Sequence, residues 1–145
     1  MTTPKVRLST DEFRYLALFE RVTRVRPMDC VTYPEGEVIF LVSPNEYPLV
    51  ALNPTKPLAR LSRMLNTRVL VYPLSDNTED FVVGLFKQVR VDSVSLVNVK
   101  DGRRIANVKV AESDKGKAIG QGGANVKRAS LLIKRYFEVD QVKIV

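Results

Sequence analysis

The chain has 145 residues, of which 23 are Lys or Arg, 16 are Asp or Glu and none is His, so its formal net charge is +7. An apolar fraction of 45% is enough for a packed core, which predicts one ordinary domain or two small ones. The absence of His excludes Ser-His-Asp triads and Cys/His zinc sites. The sequence has no apolar run of about 18 residues, so no membrane span is predicted. The single Cys30 excludes an internal disulfide and fits a reducing, cytoplasmic compartment.

The first half of the sequence alternates helical and strand patterns. In chain order, the predicted elements are a helix that ends before Pro27, strands at 28–34 and 37–42 around Pro34-Glu35-Gly36, one helical turn at 49–52, a helix at 58–65 and a strand at 68–72. Short turns and breaking prolines separate these elements, as in a compact α+β domain.

The second half repeats this order. Its predicted elements are a helix with an apolar stripe from Val82 to Val89, strands at 91–99 and 103–110 around Asp101-Gly102, a short helix at 113–119, a helix of about a dozen residues from Asn125 and a strand at 139–145. We therefore predict an internal repeat, with domains at 1–76 and 77–145. One continuous α+β domain is the alternative, because periodicity alone does not exclude it.

A glycine-rich turn lies between the last two helices of the second half. Residues 115–128 read K-G-K-A-I-G-Q-G-G-A-N-V-K-R and hold four of the seven glycines. A glycine turn that leads into a helix presents N–H groups and a positive dipole end, an arrangement that suits phosphate. One interpretation is a nucleic-acid backbone clamp, and the other is a flexible turn whose lysines are merely solvated.

Charge favours the clamp, because it is concentrated in the half that holds this turn. Residues 1–76 carry 10 cations and 8 anions, whereas residues 77–145 carry 13 and 8. The helix after the turn is predicted to have an apolar face and a continuous basic face. The apolar face is Val126, Ala129, Leu132, Ile133, Tyr136 and Phe137, and the basic face is Lys127, Arg128, Lys134 and Arg135.

Ile119 followed by Gly120-Gln121-Gly122-Gly123 resembles the G-x-x-G signature of KH domains. The signature sits between two helices with strands on either side, and a helix and a strand precede this unit, as in the prokaryotic type II topology. Two such domains in tandem resemble the archaeal NusA-like transcription termination/antitermination proteins. The resemblance implies an α/β (α+β) fold class, with two KH type II-like domains that each have a three-stranded sheet and helices packed on one face.

The resemblance implies a protein that binds single-stranded RNA and acts in transcription termination/antitermination or elongation, with RNA polymerase as a further candidate partner. It implies a loop that clamps about four nucleotides and a groove lined by Ile119 and the sheet edge near 104–108. The implied RNA-binding residues are Lys115, Lys117, Ile119, Gly120, Gln121, Gly122, Gly123, Asn125, Lys127 and Arg128. We expect a monomer without enzymatic activity, cofactor, metal or membrane attachment.

The first half departs from the KH pattern, because the G-x-x-G position falls at Leu52-Asn53-Pro54-Thr55. No glycine is present there, and Pro54 and Pro57 lack the N–H groups that a phosphate needs. We expect this half to keep the fold and lose the clamp. Three other functions remain open, namely ribosomal RNA binding in ribosome assembly, a nucleotide-binding enzyme and a protein-docking scaffold.

Overall fold

The computed structural model describes residues 10–33 and 36–145, which form two compact units divided between Leu74 and Ser75. Residues Pro34 and Glu35 of the predicted hairpin turn lie outside the described residues. The first unit contains α1 (Thr10–Thr23), β1 (Asp29–Thr32), β2 (Val38–Val42), α2 (Tyr47–Ala51), α3 (Pro57–Leu65) and β3 (Val69–Pro73). The second contains α4 (Thr78–Leu85), β4 (Val91–Asn98), β5 (Arg104–Val110), α5 (Lys115–Ile119), α6 (Ala124–Tyr136) and β6 (Gln141–Ile144), with single 3-10 turns at Glu112–Asp114 and Gln121–Gly123.

Each unit has its own three-stranded sheet, with strand orders β1-β2-β3 and β4-β5-β6. The first two strands of each sheet are antiparallel, and the last two are parallel. Parallel neighbours need a crossover connection, and in each unit a pair of helices supplies it. The predicted fold class is therefore confirmed, because both units have the helix-strand-strand-helix-helix-strand order around a mixed sheet.

Burial of one sheet face against helices forms the core of the first unit. Val38, Phe40 and Val42 alternate along β2 and belong to this core, while Ile39 and Leu41 are buried on the opposite face of the sheet. Phe40 of this strand stacks on Phe19 of α1, with ring centroids 4.3 Å apart. Cys30 on β1 is completely buried in the same cluster, in the packing role that its position in a strand predicts.

In the second unit, α6 supplies much of the core. Ala129, Leu132 and Ile133 are almost completely buried, and Tyr136 meets Phe81 of α4 edge to face at 5.7 Å between ring centroids. The predicted apolar face of this helix is therefore confirmed for these residues. None of the helices in the described part of the chain is long and apolar enough to cross a membrane.

The junction between α5 and α6 depends on Gly120, which caps α5 with a φ of +81°. A Cβ at this position would lie 2.9 Å from Cγ and Nδ2 of Asn125 and 3.0 Å from its backbone nitrogen. Asn125 is itself fixed, because its Nδ2 donates a hydrogen bond to the Lys117 carbonyl at 3.2 Å. The two helices thus approach so closely that only glycine fits between them.

Replacement of Gly120 by alanine should destabilise the fold, because the new methyl group combines a backbone clash with an unfavourable positive φ. We expect Gly120→Ala to lower the free energy of unfolding by about 2 kcal/mol, measured by urea denaturation. Gly116→Ala is the matched control, since Gly116 lies within α5 and a Cβ there meets nothing within 4 Å. The control should be neutral or slightly stabilising. Equal stability of the two variants would contradict this account of the junction.

Candidate nucleic-acid interface

The tip of the glycine loop is open to solvent. Gln121 and Gly122 are exposed, and a Cβ on Gly122 would meet nothing within 4 Å. Gly122 and Gly123 have φ values of +64° and +77°, in the left-handed region that glycine adopts without strain. The backbone therefore turns sharply at a place where a ligand can approach it closely.

The loop leads directly into the N-terminus of α6. The N-cap residue is Gly123, which has no side chain to cap the helix. Helix α6 has 13 residues, and its macrodipole places partial positive charge at the loop. This end of the helix therefore attracts an anion, since leading N–H groups and the dipole act together.

Two exposed lysines, Lys117 and Lys127, come from the two helices that the loop joins. Cε of Lys127 lies 3.8 Å from the point where a Cβ on Gly123 would stand, so this side chain runs alongside the loop. Lys115 is only half-exposed, and its Nζ pairs with Oε2 of Glu112 at 2.8 Å. Lys117 and Lys127 are thus the better placed of these lysines to pair with phosphates.

Arg128 does not lie on an exposed basic face, and this part of the sequence prediction is wrong. Its relative exposure is 5%, and its Nη1 donates a hydrogen bond to Oδ1 of Asn125 at 3.0 Å. The reason is helix geometry, because Arg128 lies four residues before the fully buried Leu132 and so shares its face. Lys127 and Lys134 remain exposed, while Arg135 is half-buried with its guanidinium carbon 5.9 Å from the Tyr136 ring centroid.

Asn125 therefore links the end of α5 to Arg128 of α6. Its amide nitrogen bonds the Lys117 carbonyl at the end of α5, and its amide oxygen accepts from Arg128 within α6. Both polar ends of this side chain are engaged inside the protein. The structure thus assigns Asn125 and Arg128 to holding the loop in place.

The expected sheet edge at residues 104–108 is also wrong. These residues belong to β5, which is the central strand and pairs with both β4 and β6. Strand β6 pairs in parallel with β5 on its outer side, and this edge strand lies beside α5. Local sequence pattern contains no signal for strand order, so it did not identify β6 as the edge. Ile119, 38% exposed at the end of α5, is available to line a groove towards this edge.

The β4–β5 hairpin turn carries a neutralised pair of charges. The Asp101 carboxylate accepts hydrogen bonds from the Arg103 backbone N–H at 3.0 Å and from its Nε at 2.8 Å. These contacts, led by the backbone hydrogen bond, hold the pKa of Asp101 below its ordinary value. Because the arginine is paired locally, this turn adds less positive charge than its sequence indicates.

The corresponding connection in the first unit has a different construction. It runs from Leu52, which caps α2, to Lys56, which caps α3, with three residues between the caps instead of two. Asn53 Oδ1 accepts hydrogen bonds from the Thr55 N–H and hydroxyl at 3.0 and 2.8 Å. Side-chain hydrogen bonds therefore hold this connection together. Leu52, which is 77% exposed, occupies the position that corresponds to Gly120.

Comparison with known proteins identifies relatives along nearly the whole chain. Residues 78–145 match the model of the NusA-like second KH domain family. Proteins named "Probable transcription termination protein NusA" are 24% identical in Thermoplasma acidophilum, where the match covers 99% of both chains, and 28% identical in Halococcus morrhuae, where it covers 97% of this chain and 99% of the relative. The relative of this name from Methanocaldococcus jannaschii is 25% identical, over 97% of this chain and 76% of its own length.

A solved structure has the same fold. The crystal structure of APE1850 superposes with a TM-score of 0.83 and is 33% identical, over 95% of this chain and all of the other. The match includes both units, and the family model falls on the unit that holds the glycine loop. The chain therefore belongs to the NusA-like family of KH-domain proteins, with residues 78–145 forming its second KH domain.

Proposed function

We propose that the chain is an RNA-binding protein of transcription termination or antitermination, and that residues 120–123 clamp the backbone of single-stranded RNA. One observation carries the site, namely an open glycine loop at the uncapped N-terminus of α6 between two exposed lysines. The relatives named for transcription termination support the biological role.

The loop would act on phosphates through three groups. Backbone N–H groups at the start of α6 donate hydrogen bonds, the helix dipole supplies partial positive charge, and Lys117 and Lys127 supply full charges. KH loops contact about four nucleotides, which matches a loop of this length. Close approach requires the absence of side chains at the tip, and the positive φ values at Gly122 and Gly123 explain why glycine occupies it.

Bases would lie in the groove between α5 and β6. Ile119 offers an apolar surface, and the outer backbone groups of β6 can pair with the edges of unstacked bases. Tyr136 is 8% exposed and faces the core, so it offers no platform for a base. The arrangement therefore favours recognition of base edges over the aromatic stacking used by other RNA-binding folds.

Asn125 and Arg128 would contribute indirectly. Asn125 ties α6 to the Lys117 carbonyl of α5 and accepts from Arg128, so the loop would already be held in shape before RNA arrives. A preformed clamp loses little conformational freedom on binding, and this increases affinity. The two residues are thus positioning residues, whereas Lys117 and Lys127 are the proposed phosphate contacts.

RNA polymerase is the proposed macromolecular partner, and the bound chain would be a monomer. A role in ribosome assembly is the competing function, since it also uses KH domains. Affinity purification of the chain from its native cells separates the two. RNA polymerase subunits should copurify in the presence of nuclease, whereas recovery of ribosomal subunits alone would favour the competing role.

RNA should bind in single-stranded form. The groove reads base edges that pairing conceals, so a short unpaired RNA should bind more tightly than the same RNA annealed to its complement. Fluorescence anisotropy at one salt concentration measures both affinities. Equal affinities would show that charge attraction alone holds the RNA and would contradict the groove.

Negative charge at the loop tip should abolish RNA binding. The double variant Gln121→Asp with Gly122→Asp places two carboxylates where phosphates lie, so affinity should fall at least about a hundredfold. If about four phosphates are contacted, the wild-type slope of log affinity against log salt is about −3, and the variant's slope is shallower. Gln121→Asn with Gly122→Asn is the matched control, because it keeps the side-chain size and backbone strain without the charge.

The Asn pair should retain most of the affinity. A folded Asp variant with unchanged affinity and salt slope would exclude the loop as the RNA site. Equal loss in both variants would instead assign the defect to the Gly122 backbone, whose φ is +64°.

Charge reversal should weaken RNA binding in the second unit and not in the first. Lys117→Glu with Lys127→Glu should weaken RNA binding at least about tenfold, because both side chains flank the loop. Arg60→Glu with Arg63→Glu makes the same change of charge on α3 of the first unit and should change affinity by less than about twofold. Since the net charge of both variants is identical, similar losses would mean that RNA responds to overall charge rather than to this site.

A further inference from the structure

The first unit has a surface that combines exposed apolar side chains with positive charge. It extends over α2, the connection to α3 and the exposed side of α3, and we name it the α2–α3 surface. Its members are Leu49, Leu52, Lys56, Arg60, Arg63 and Met64. The three apolar members are unusually accessible, with relative exposures of 58% for Leu49, 77% for Leu52 and 55% for Met64.

The core of the unit does not require the two exposed leucines. Leu49 and Leu52 are three residues apart, so they lie on the same side of α2. The opposite side of this helix supplies Val50, which is 1% exposed. Clustered exposed apolar side chains characterise interaction sites, since water contact with them is unfavourable.

The charged part of the surface is purely cationic. Arg60 and Arg63 lie three residues apart and share one side of α3, and Lys56 is the residue that caps the start of this helix. No Asp or Glu occurs between Tyr47 and Ser75, and the one other cation in this segment, Arg68, is paired with Glu37 at 3.0 Å. Such a surface is complementary to carboxylates.

The connection between α2 and α3 is unsuitable as a phosphate clamp. Pro54 and Pro57 have no N–H to donate, and the Thr55 N–H is used by Asn53 Oδ1. Leu52 stands where the second unit has Gly120, and its side chain offers no hydrogen bond to a phosphate. Apolar anchors beside cations instead match a protein segment with apolar and acidic side chains.

We propose that the α2–α3 surface binds an acidic amphipathic segment of a partner protein. Leu49, Leu52 and Met64 contact its apolar side chains, and Lys56, Arg60 and Arg63 pair with its carboxylates. The two units would then have different partners, RNA on the second and protein on the first.

Fluorescence anisotropy of the full chain with three labelled probes tests this division. The probes are a synthetic helical peptide with leucines on one face and glutamates on the other, a scrambled peptide of equal composition, and oligouridine. The striped peptide should bind at least about tenfold more tightly than the scrambled one. Leu49→Ser with Leu52→Ser, and separately Arg60→Glu with Arg63→Glu, should each weaken it at least about tenfold, which is typical of interface anchors.

Both variants should keep the wild-type affinity for oligouridine, which also shows that they are folded. Val97→Ser, at an exposed apolar residue of β4, and Lys134→Glu are the matched controls and should leave peptide binding unchanged. The proposal is overturned if the wild-type chain does not bind the striped peptide, or binds both peptides equally. It is equally overturned if the variants lose oligouridine instead of peptide, which would make this surface an RNA site.

Discussion

The close approach of Gly120 to Asn125 is the constraint on which the candidate site depends. With a Cβ at Gly120 only 2.9 Å from the Asn125 side chain, α5 cannot come this near to α6 unless that residue is glycine. Asn125 then ties the Lys117 carbonyl to Arg128, and the buried guanidinium forms part of the same junction. The loop tip consequently projects from a fixed base, with its backbone exposed and its lysines on both sides.

The two units show how one topology supports two kinds of surface. Both have a mixed three-stranded sheet and a helix-loop-helix crossover, and in both a left-handed residue precedes the long helix. That residue is Gly123 in the second unit and Lys56 in the first, where φ is +52°. The residues of the connection differ. The glycines of the second unit leave the backbone accessible, whereas in the first unit Asn53 accepts a hydrogen bond from the Thr55 N–H and the prolines have no N–H to donate. The fold sets the position of the loop, and the side chains decide what it can bind.

Much of this organisation could be predicted from the sequence. Period and turn residues predicted the order of elements in both halves, and the density of glycine and lysine located the loop. The two errors have different origins. The spacing of four residues between Arg128 and Leu132 already places Arg128 on the apolar face of α6, so the prediction of an exposed Arg128 overlooked a signal that the sequence contains. The error at residues 104–108 has another cause, because strand order depends on which strands pair and the local pattern does not contain this information. Strand β5 is central, and β6 adds on its outer side.

Backbone amide mapping tests the central claim most directly. In a titration of the isotope-labelled chain with a short single-stranded RNA, amide resonances should shift at residues 119–125 and along β6, with small changes in the first unit. The loop amides would shift because they donate to phosphates, and the β6 amides because bases lie against that edge. Shifts confined to the first unit, or spread evenly over the basic surface without a maximum at the glycine loop, would contradict the account.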